Sequence, residues 1–245
     1  MAYAGFHAYL NGWLDEVNLF NRALSQSDIT DLYNQASLVA YYKMDETEGG
    51  TAPGGKDIND YSGQANHGTN NGANYGTTGI IGTALEFDGT DYVDVGNNAV
   101  LTPSDISISA WIKASTLDTY NGIITNKPDA NHGINLQIGT SRIAALVGDG
   151  SAYTYVNTTW APDVDIWYHI VITHNSSDNN NILYVNGNNE NEATRALAYS
   201  TPVNTIIGRF YTGSLPFNGL IDEIRIYNRV LSSDEVTDLY NKGTE

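Results

Sequence analysis

Carboxylates are the residues of this chain whose placement points most directly to chemistry. Asp222 lies in a run predicted to be a strand, and simple alternation places it on the face of Leu220, Ile224 and Ile226. A carboxylate on an apolar face has to be paired, hydrogen-bonded or bound to a metal, because a bare buried charge is costly. No Lys or Arg shares that face. Two interpretations remain: a calcium ligand, or a carboxylate that accepts hydrogen bonds from backbone N–H groups.

A second set of oxygen donors alternates along a loop: Asp60, Ser62, Gln64 and Asn66. Hard cations such as Ca²⁺ take roughly six to eight oxygen ligands, which such a loop can supply. An ordinary polar turn has the same composition. The residues alone therefore leave the choice open.

Composition excludes several classes of function. The 245 residues carry 28 acidic and 11 basic side chains, a net charge of −17, which disfavours nucleic acid and anionic membranes as partners. The absence of cysteine removes disulfides, thiolate metal sites and cysteine nucleophiles. No apolar run approaches the roughly 20 residues of a membrane span, so no membrane insertion is expected.

An internal repeat organises the chain. Residues 11–25 match residues 218–232 at a constant offset of 207, and residues 30–34 continue the match at 237–241. Each copy is predicted to form a strand, a turn and a short helix, with Ser232 and Glu235 in a capping-box pattern. We predict that residues 1–37 are the tail of a preceding repeat and that 38–245 form one complete domain. The alternative is that the leading segment packs on this domain or swaps onto a neighbour.

Most of the remaining chain alternates between apolar and polar residues with a period of two, as in Ile106–Lys113 and Tyr168–Thr173. Turn dipeptides such as Asp149-Gly150 and Asn186-Gly187 separate the predicted strands. This pattern predicts an all-β sandwich or barrel. Residues 48–79, rich in Gly, Asn, Thr and Ser, are predicted to be a long loop.

Several segments together resemble the LamG-like, concanavalin A-like lectin-glucanase jelly-roll family. They are Leu38–Glu46, Asp60–Gly68, Leu85–Val93, Ile106–Lys113, Trp167–Val171, Leu183–Gly187 and Asn218–Asn228. The resemblance covers essentially all of 38–245. It implies a two-sheet antiparallel jelly-roll sandwich, often a calcium ion, and often carbohydrate or protein binding. Because functions on one fold vary widely, the fold alone does not determine what is bound.

The resemblance favours the calcium interpretation of the carboxylates. Asp45 ends the first strand of the domain, and a sandwich brings that strand near the last one. We predict that Asp45, Asp60 and Asp222 surround one structural calcium ion, with backbone carbonyls completing the shell.

Aromatic residues are the candidates for sugar contact, because sugar rings stack on flat aromatic faces. We predict a ligand-binding set of Tyr153, Tyr155, Trp160, Arg209 and Tyr211, in which Tyr155 and Trp160 are the favoured exposed members. The alternative is that individual aromatics only pack in the sandwich.

Catalysis is disfavoured. Some relatives on this fold are glycoside hydrolases, which need two carboxylates about 5–10 Å apart. Asp222 and Glu223 are adjacent and are predicted to face opposite ways, and Glu190 and Glu192 are predicted to lie in a solvated turn. We predict a non-catalytic, calcium-containing carbohydrate-binding module of a larger secreted or cell-surface protein, which binds a glycan and also contacts neighbouring repeats. The alternatives are an adhesive repeat without a sugar site and, more remotely, a glycoside hydrolase.

Overall fold

The computed structural model describes residues 17, 19–47, 57–127, 129–200, 203–210 and 215–244. Two helices, a short 3₁₀ turn at Ala99–Leu101 and fifteen strands are found in these ranges. The helices are α1 (Gln26–Ser37) and α2 (Ser233–Lys242). The strands are β1 (Leu38–Tyr42), β2 (Thr69–Asn71), β3 (Asn74–Thr78), β4 (Thr83–Asp88), β5 (Tyr92–Gly96), β6 (Ile106–Ala114), β7 (Asn121–Thr125), β8 (His132–Gly139), β9 (Arg142–Asp149), β10 (Tyr153–Asn157), β11 (Trp167–Asn175), β12 (Asn180–Val185), β13 (Asn188–Thr194), β14 (Thr205–Ile207) and β15 (Asn218–Tyr227).

The strands form two antiparallel sheets, which confirms the predicted jelly-roll sandwich. The eight-stranded sheet has the order β13-β12-β11-β6-β15-β4-β3, with β1 paired to the far half of β15. The seven-stranded sheet has the order β10-β9-β8-β7-β14-β5-β2. One edge of β15 runs along β6, and the other is shared between β4 and β1. The last strand of the domain, β15, therefore pairs with the first strand, β1, as well as with β4 and β6.

The core lies between the two sheets and follows the predicted alternation. From β6 it takes Ile106, Ile108, Ala110 and Ile112, and β8 and β9 supply matching residues from the opposite sheet. Burial of apolar surface at roughly 25 cal/mol per Å² holds the layers together. Residues of the other parity point away from the core and are free to build sites on the outer faces.

Polar stretches of the chain contain more strand than their composition predicts. Residues 57–79 include β2, β3 and a bridge between Ile58 and Gly68, so the prediction of an unstructured loop is wrong there; residues 48–56 lie outside the described ranges. The predicted turn around Glu190 and Glu192 is strand β13. Strands at or near a sheet edge need backbone pairing more than apolar side chains, so Asn, Thr and Gly suffice.

A β-bulge in β15 changes which residues face the core. The register against β6 shifts between Asp222 and Arg225, and Glu223 has a left-handed φ of 52°. Ile221 and Ile224 both lie in the inter-sheet core, although they are three residues apart. The prediction that Leu220 and Ile224 share a face is therefore wrong, because the bulge inserts one extra residue between them.

Helix α2 covers the outer face of the eight-stranded sheet. Val236 and Leu239 pack with Val171 of β11 and Tyr184 of β12. The predicted capping box is confirmed: the Glu235 N–H donates to Ser232 Oγ (3.3 Å), and the Ser232 N–H donates to the Glu235 carboxylate (2.8 Å).

His169 is buried beneath the same helix. Its ring centroid lies 5.0 Å from that of Trp111 and 6.2 Å from that of Tyr240, and its Nε2 lies 2.8 Å from Ser109 Oγ. Burial, followed by the charge of Arg225, lowers the pKa of His169 to about 3. The imidazole is therefore neutral in the folded state at neutral pH.

Because the pKa of His169 is lowered in the folded state, part of the free energy of unfolding is expected to be lost in acid. The unfolded chain binds a proton at His169 near pH 6.5 and the folded chain does not until about pH 3, so this part is complete above pH 6.5 and is lost as the pH falls towards 3. We expect His169→Gln to reduce the slope of unfolding free energy against pH between 6.5 and 5 by up to about 1.4 kcal/mol per pH unit. Urea unfolding of both proteins across this range measures the slope. Equal slopes would contradict the prediction.

Candidate functional site

A pocket of about 210 Å³ opens on the outer face of the seven-stranded sheet. The core takes Leu136 and Ile138 of β8, so alternation turns Gln137 outward into the pocket. The residues that line it are Tyr120, Ala130, Gln137, Leu146, Tyr153, Tyr155, Phe210 and Leu215. The floor is thus sheet, and the walls are aromatic.

Three tyrosines form one continuous wall. The rings of Tyr120 and Tyr155 stack with centroids 6.4 Å apart and an angle of 18° between their planes. Tyr153 meets Tyr155 edge to face at 5.6 Å. The guanidinium of Arg142 lies over the ring of Tyr155, 5.0 Å from the ring centroid, in a cation–π contact. These contacts hold the ring planes in fixed orientations.

Burial also keeps the Tyr155 hydroxyl protonated. The pKa of Tyr155 is raised to about 12, first by burial and then by its tyrosine neighbours. The hydroxyl is therefore protonated throughout the physiological range, and the wall offers a polar edge as well as an apolar face.

Two amide side chains beneath the tyrosines leave hydrogen-bonding capacity unused. Asn135 Nδ2 donates to Gln137 Oε1 at 3.1 Å. Gln137 Nε2 and Asn135 Oδ1 are buried and have no partner among the residues that the structure describes. A buried group left unpaired costs about 1–3 kcal/mol, so a ligand hydroxyl that reaches Gln137 Nε2 would recover that loss. The sequence prediction missed Gln137, although two amides on an otherwise apolar strand were a visible signal.

The structure brings together only part of the predicted ligand-binding set. Tyr153 and Tyr155 line the pocket. The guanidinium of Arg209 lies instead 3.4 Å from the centroid of the Tyr92 ring. Tyr211 lies outside the described residues.

Trp160 lies apart from the pocket, and the prediction that it is exposed is wrong. Its side chain is half-buried against the inter-sheet core, and its ring centroid lies 5.9 Å from that of Tyr168. Its Nε1 donates to Glu190 of β13 at 2.7 Å. The indole therefore seals one side of the sandwich.

Of the predicted metal ligands, Asp60 has ample hydrogen-bond partners. Its carboxylate accepts from the N–H groups of Tyr41 (2.9 Å), Ser62 (2.9 Å) and Asn66 (2.8 Å) and from Ser62 Oγ (2.9 Å). The bond from Tyr41 ties the loop to strand β1, and the other three hold the loop itself in shape. Asp60 is thus a structural clip.

Asp45 and Asp222 meet at the turn formed by residues 79–83. Asp45 Oδ1 accepts from the Thr83 N–H at 2.7 Å, and Asp222 Oδ2 accepts from the N–H groups of Ile80 (2.9 Å) and Ile81 (3.2 Å). A Cβ at Gly79 would lie 2.5 Å from Asp222 Oδ2, and one at Gly82 would lie 2.4 Å from Asp45 Oδ1. Glycine is therefore required at both ends of this turn for the carboxylates to approach.

The Asp222 carboxylate remains only half satisfied. The residue is fully buried, and its Oδ1 has no partner in the described part of the chain. Burial raises the pKa of Asp222 to about 7, and the charge of Glu223 acts in the same direction. Within the described ranges no three His, Asp or Glu side chains form a metal-binding group, so the three predicted carboxylates do not gather at one point. Asp222 Oδ2 thus fits the interpretation in which backbone N–H groups donate to the carboxylate. Oδ1 has no such donor among the described residues.

Comparison with known proteins places this geometry in a family context. A family model described as the concanavalin A-like lectin/glucanases superfamily matches residues 87–237. Among curated proteins, none matches the sequence.

Several solved structures share this fold. Domain 4 of AbnA, a GH43 extracellular arabinanase from Geobacillus stearothermophilus, in complex with arabinotriose, is 24% identical with a TM-score of 0.68; the match covers 83% of this chain and 98% of that domain. The binding domain of Paraclostridial Mosquitocidal Protein 1 is 19% identical with a TM-score of 0.67, over 85% of this chain. The binding domain of botulinum neurotoxin serotype D is 18% identical with a TM-score of 0.64, over 86% of this chain. This chain spans about half the length of the two toxin domains, 52% and 53%.

A membrane span was also sought. Within the described residues, none of the helices is long and apolar enough to cross a bilayer.

The clip at Asp60 makes a direct prediction about stability. We expect Asp60→Ala to lower the free energy of unfolding by about 2–4 kcal/mol, because buried N–H donors lose a charged acceptor. The control is Asp88→Ala, since Asp88 is exposed and its carboxylate accepts from the nearby N–H and hydroxyl of Thr90; it should change stability little. Urea unfolding compares the two variants, and equal losses would refute the role of Asp60.

Proposed function

Because this chain belongs to the concanavalin A-like lectin/glucanases superfamily, we propose that it is a non-catalytic carbohydrate-binding module that uses the tyrosine pocket. The observation that carries the proposal is the pairing of a rigid aromatic wall with the unpartnered amide donor of Gln137. The C–H face of a sugar ring packs on the tyrosines while a hydroxyl accepts from Gln137 Nε2.

The size of the pocket indicates how much sugar it holds. Its volume of about 210 Å³ is below the ~300–1,000 Å³ of sites for drug-sized ligands. It suits one ring of an oligosaccharide, with the neighbouring rings outside. An oligosaccharide with an exposed chain end or branch can place one ring in the pocket in this way.

The residues around the pocket support a binding role without chemistry. Among the described residues that line it, none is a carboxylate. Glycoside hydrolysis by the usual routes needs two carboxylates facing one bond. The arabinanase domain of the same fold is described with a bound oligosaccharide, arabinotriose, which supports an oligosaccharide as the ligand class.

Calcium is the second part of the proposal. Asp222 and Asp45 would hold one structural ion at the 79–83 turn, with backbone carbonyls as further ligands. The unpartnered Asp222 Oδ1 and the oxygen-only donor set suit a hard cation. Once bound, the ion would supply the charge that neutralises the buried carboxylate.

We further propose that the module belongs to a larger secreted or cell-surface protein. The arabinanase that carries a similar domain is described as extracellular, which supports this location. The alternative role, an adhesive repeat without a sugar site, is favoured by one observation, the apolar surface of helix α1 and the residues before it.

Substitution of pocket tyrosines tests sugar binding. A glycan array first identifies the ligand, and calorimetry then compares variants. We expect Tyr153→Ala and Gln137→Leu each to weaken binding at least tenfold, because the first removes part of the aromatic wall and the second removes the amide donor. Gln137→Leu also removes the acceptor of Asn135 Nδ2, so urea unfolding checks that this variant is still folded.

The matched control is Tyr61→Ala. Tyr61 is 46% exposed and Tyr153 is 42% exposed, but Tyr61 packs against Tyr41 away from the pocket. Its substitution should leave affinity unchanged. Equal losses in Tyr61→Ala and Tyr153→Ala would refute the pocket, and an array without any bound glycan would favour the adhesive alternative.

Chelation tests the ion. At a calcium concentration 100 times Kd, an ion bound only to the folded state adds about 2.7 kcal/mol, or about 5–10 °C in Tm for a domain of this size. We expect this shift in the unsubstituted protein and in Asp60→Asn, and no shift in Asp222→Asn. Thermal melting in calcium and in EDTA measures it, and a shift that persists in Asp222→Asn would place the ion elsewhere.

A further inference from the structure

We propose that the leading segment, residues 11–37, is the closing strand and helix of a second jelly roll of the same type, which it completes in tandem with this one. The inference starts from the repeat at offset 207 and depends on what the structure shows for the described part of the segment, residue 17 and residues 19–37. It is independent of the sugar site.

The described part of the leading segment reproduces the turn and helix cap of the closing element, which consists of β15 and α2. The guanidinium of Arg22 donates to both oxygens of Asp28 at 2.7 and 2.8 Å, and its counterpart Arg229 donates to both oxygens of Glu235 at 2.8 and 2.7 Å. The Ser25 N–H donates to Asp28 at 2.7 Å, as the Ser232 N–H donates to Glu235 at 2.8 Å. The turn and the helix cap thus have the same hydrogen-bond pattern in both copies.

At four pairs of equivalent positions, the apolar residues of the two copies differ strongly in exposure. In the closing element Ile224 is 0% exposed, Ile226 1%, Tyr227 3% and Val236 0%. Their counterparts in the leading segment are Val17 at 66%, Leu19 at 96%, Phe20 at 47% and Ile29 at 49%. A face that is apolar at the same positions has a partner of the same shape in one copy and lacks it in the other. Such a surface marks an interaction site.

The closing element shows what that partner looks like. Ile224 and Ile226 fill the inter-sheet core from β15, which lies between β6 and β1. Val236 packs against Val171 and Tyr184 on the outer face of the eight-stranded sheet. The leading segment therefore fits an eight-stranded sheet that lacks its own last strand and helix.

This chain cannot be its own partner, because that place is already filled. β15 already occupies the strand position in the eight-stranded sheet that the leading segment would need, and α2 already covers the outer face of that sheet. Among the described residues, contacts between α1 and the domain include the end of the helix: Arg229 Nε donates to Ser37 Oγ at 2.9 Å, and its guanidinium lies 4.6 Å from the centroid of the Tyr33 ring. Tyr33 is still 60% exposed. The occupant we assign is a jelly roll of the same type that precedes this one.

The junction between two such domains would be short. α1 ends at Ser37 and β1 begins at Leu38, so no linker separates the closing helix of one domain from the first strand of the next. Consecutive domains would then be closely coupled, and the repeat period would be 207 residues.

Paired substitutions in the chain as it stands give the first test. We expect Val236→Asp to lower Tm by at least about 10 °C, because it places a charge in a packed interface, and Ile29→Asp, at the equivalent position, to leave Tm unchanged within about 1–2 °C. A large loss in Ile29→Asp would show that the segment already packs on its own domain and would overturn the proposal.

A fusion gives the second test. Residues 38–217 are placed directly before residues 11–245, so that the leading segment follows a sandwich that lacks a closing element. We expect a monomer with two folded jelly rolls, in which Ile29→Asp unfolds the first and leaves the second intact, by thermal melting and limited proteolysis. The positive control carries residues 218–244 in place of 11–37 at the junction. If the control folds both domains and the native junction does not, the proposal is wrong.

Light scattering of the unfused chain identifies the competing occupant. A monomer over the micromolar range is expected. A dimer that Ile29→Asp abolishes would make a second copy of this chain the occupant and overturn the tandem assignment.

Discussion

The structure depends on how β15 satisfies the buried acids that it carries. The bulge at Glu223 places Asp222 and Glu223 side by side at 0% and 1% exposure, in a strand bonded on both edges. Glu223 is compensated by Arg225 and by the Tyr41 hydroxyl, which donates to it at 2.9 Å. Asp222 has two backbone N–H donors and one oxygen without a partner in the described chain. Since an uncompensated buried charge is costly, the N–H groups of the 79–83 turn pair with Oδ2, and the unpartnered Oδ1 is the reason that a cation is proposed there.

The opposite sheet solves a different problem. Its inner residues are committed to the core, and its outer residues include the buried amides of Asn135 and Gln137. The tyrosines that cover them fix one another through ring contacts, so the amide donor is held under an aromatic wall without being used. Binding capacity in this fold thus follows from alternation, since each strand that builds the core also presents an outward set of side chains.

The two copies of the strand–helix motif separate local from tertiary contributions. Both have the same Arg–carboxylate pair and the same Ser cap, because these contacts lie within a few residues of sequence. Burial of Ile224 and exposure of Val17 have no local cause. A short helix is stabilised mainly by packing of its apolar face. The exposed copy therefore has the same local structure without the stabilisation that packing would give it.

The sequence by itself determined the jelly roll, the strands of the core, the helix cap and the repeat, because each depends on periodicity or on neighbours a few residues away. It also proposed Tyr153, Tyr155, Asp45 and Asp222 as candidate site residues. Only the tertiary structure decided which of them meet. The bulge at Glu223 overturned the parity argument, Asp60 accepts hydrogen bonds from its own loop and from Tyr41 of β1, and Trp160 donates to Glu190. Gln137 became a candidate only when its amide was seen buried without a partner. Register shifts and side-chain satisfaction depend on residues tens to hundreds of positions apart, and no local pattern encodes those distances.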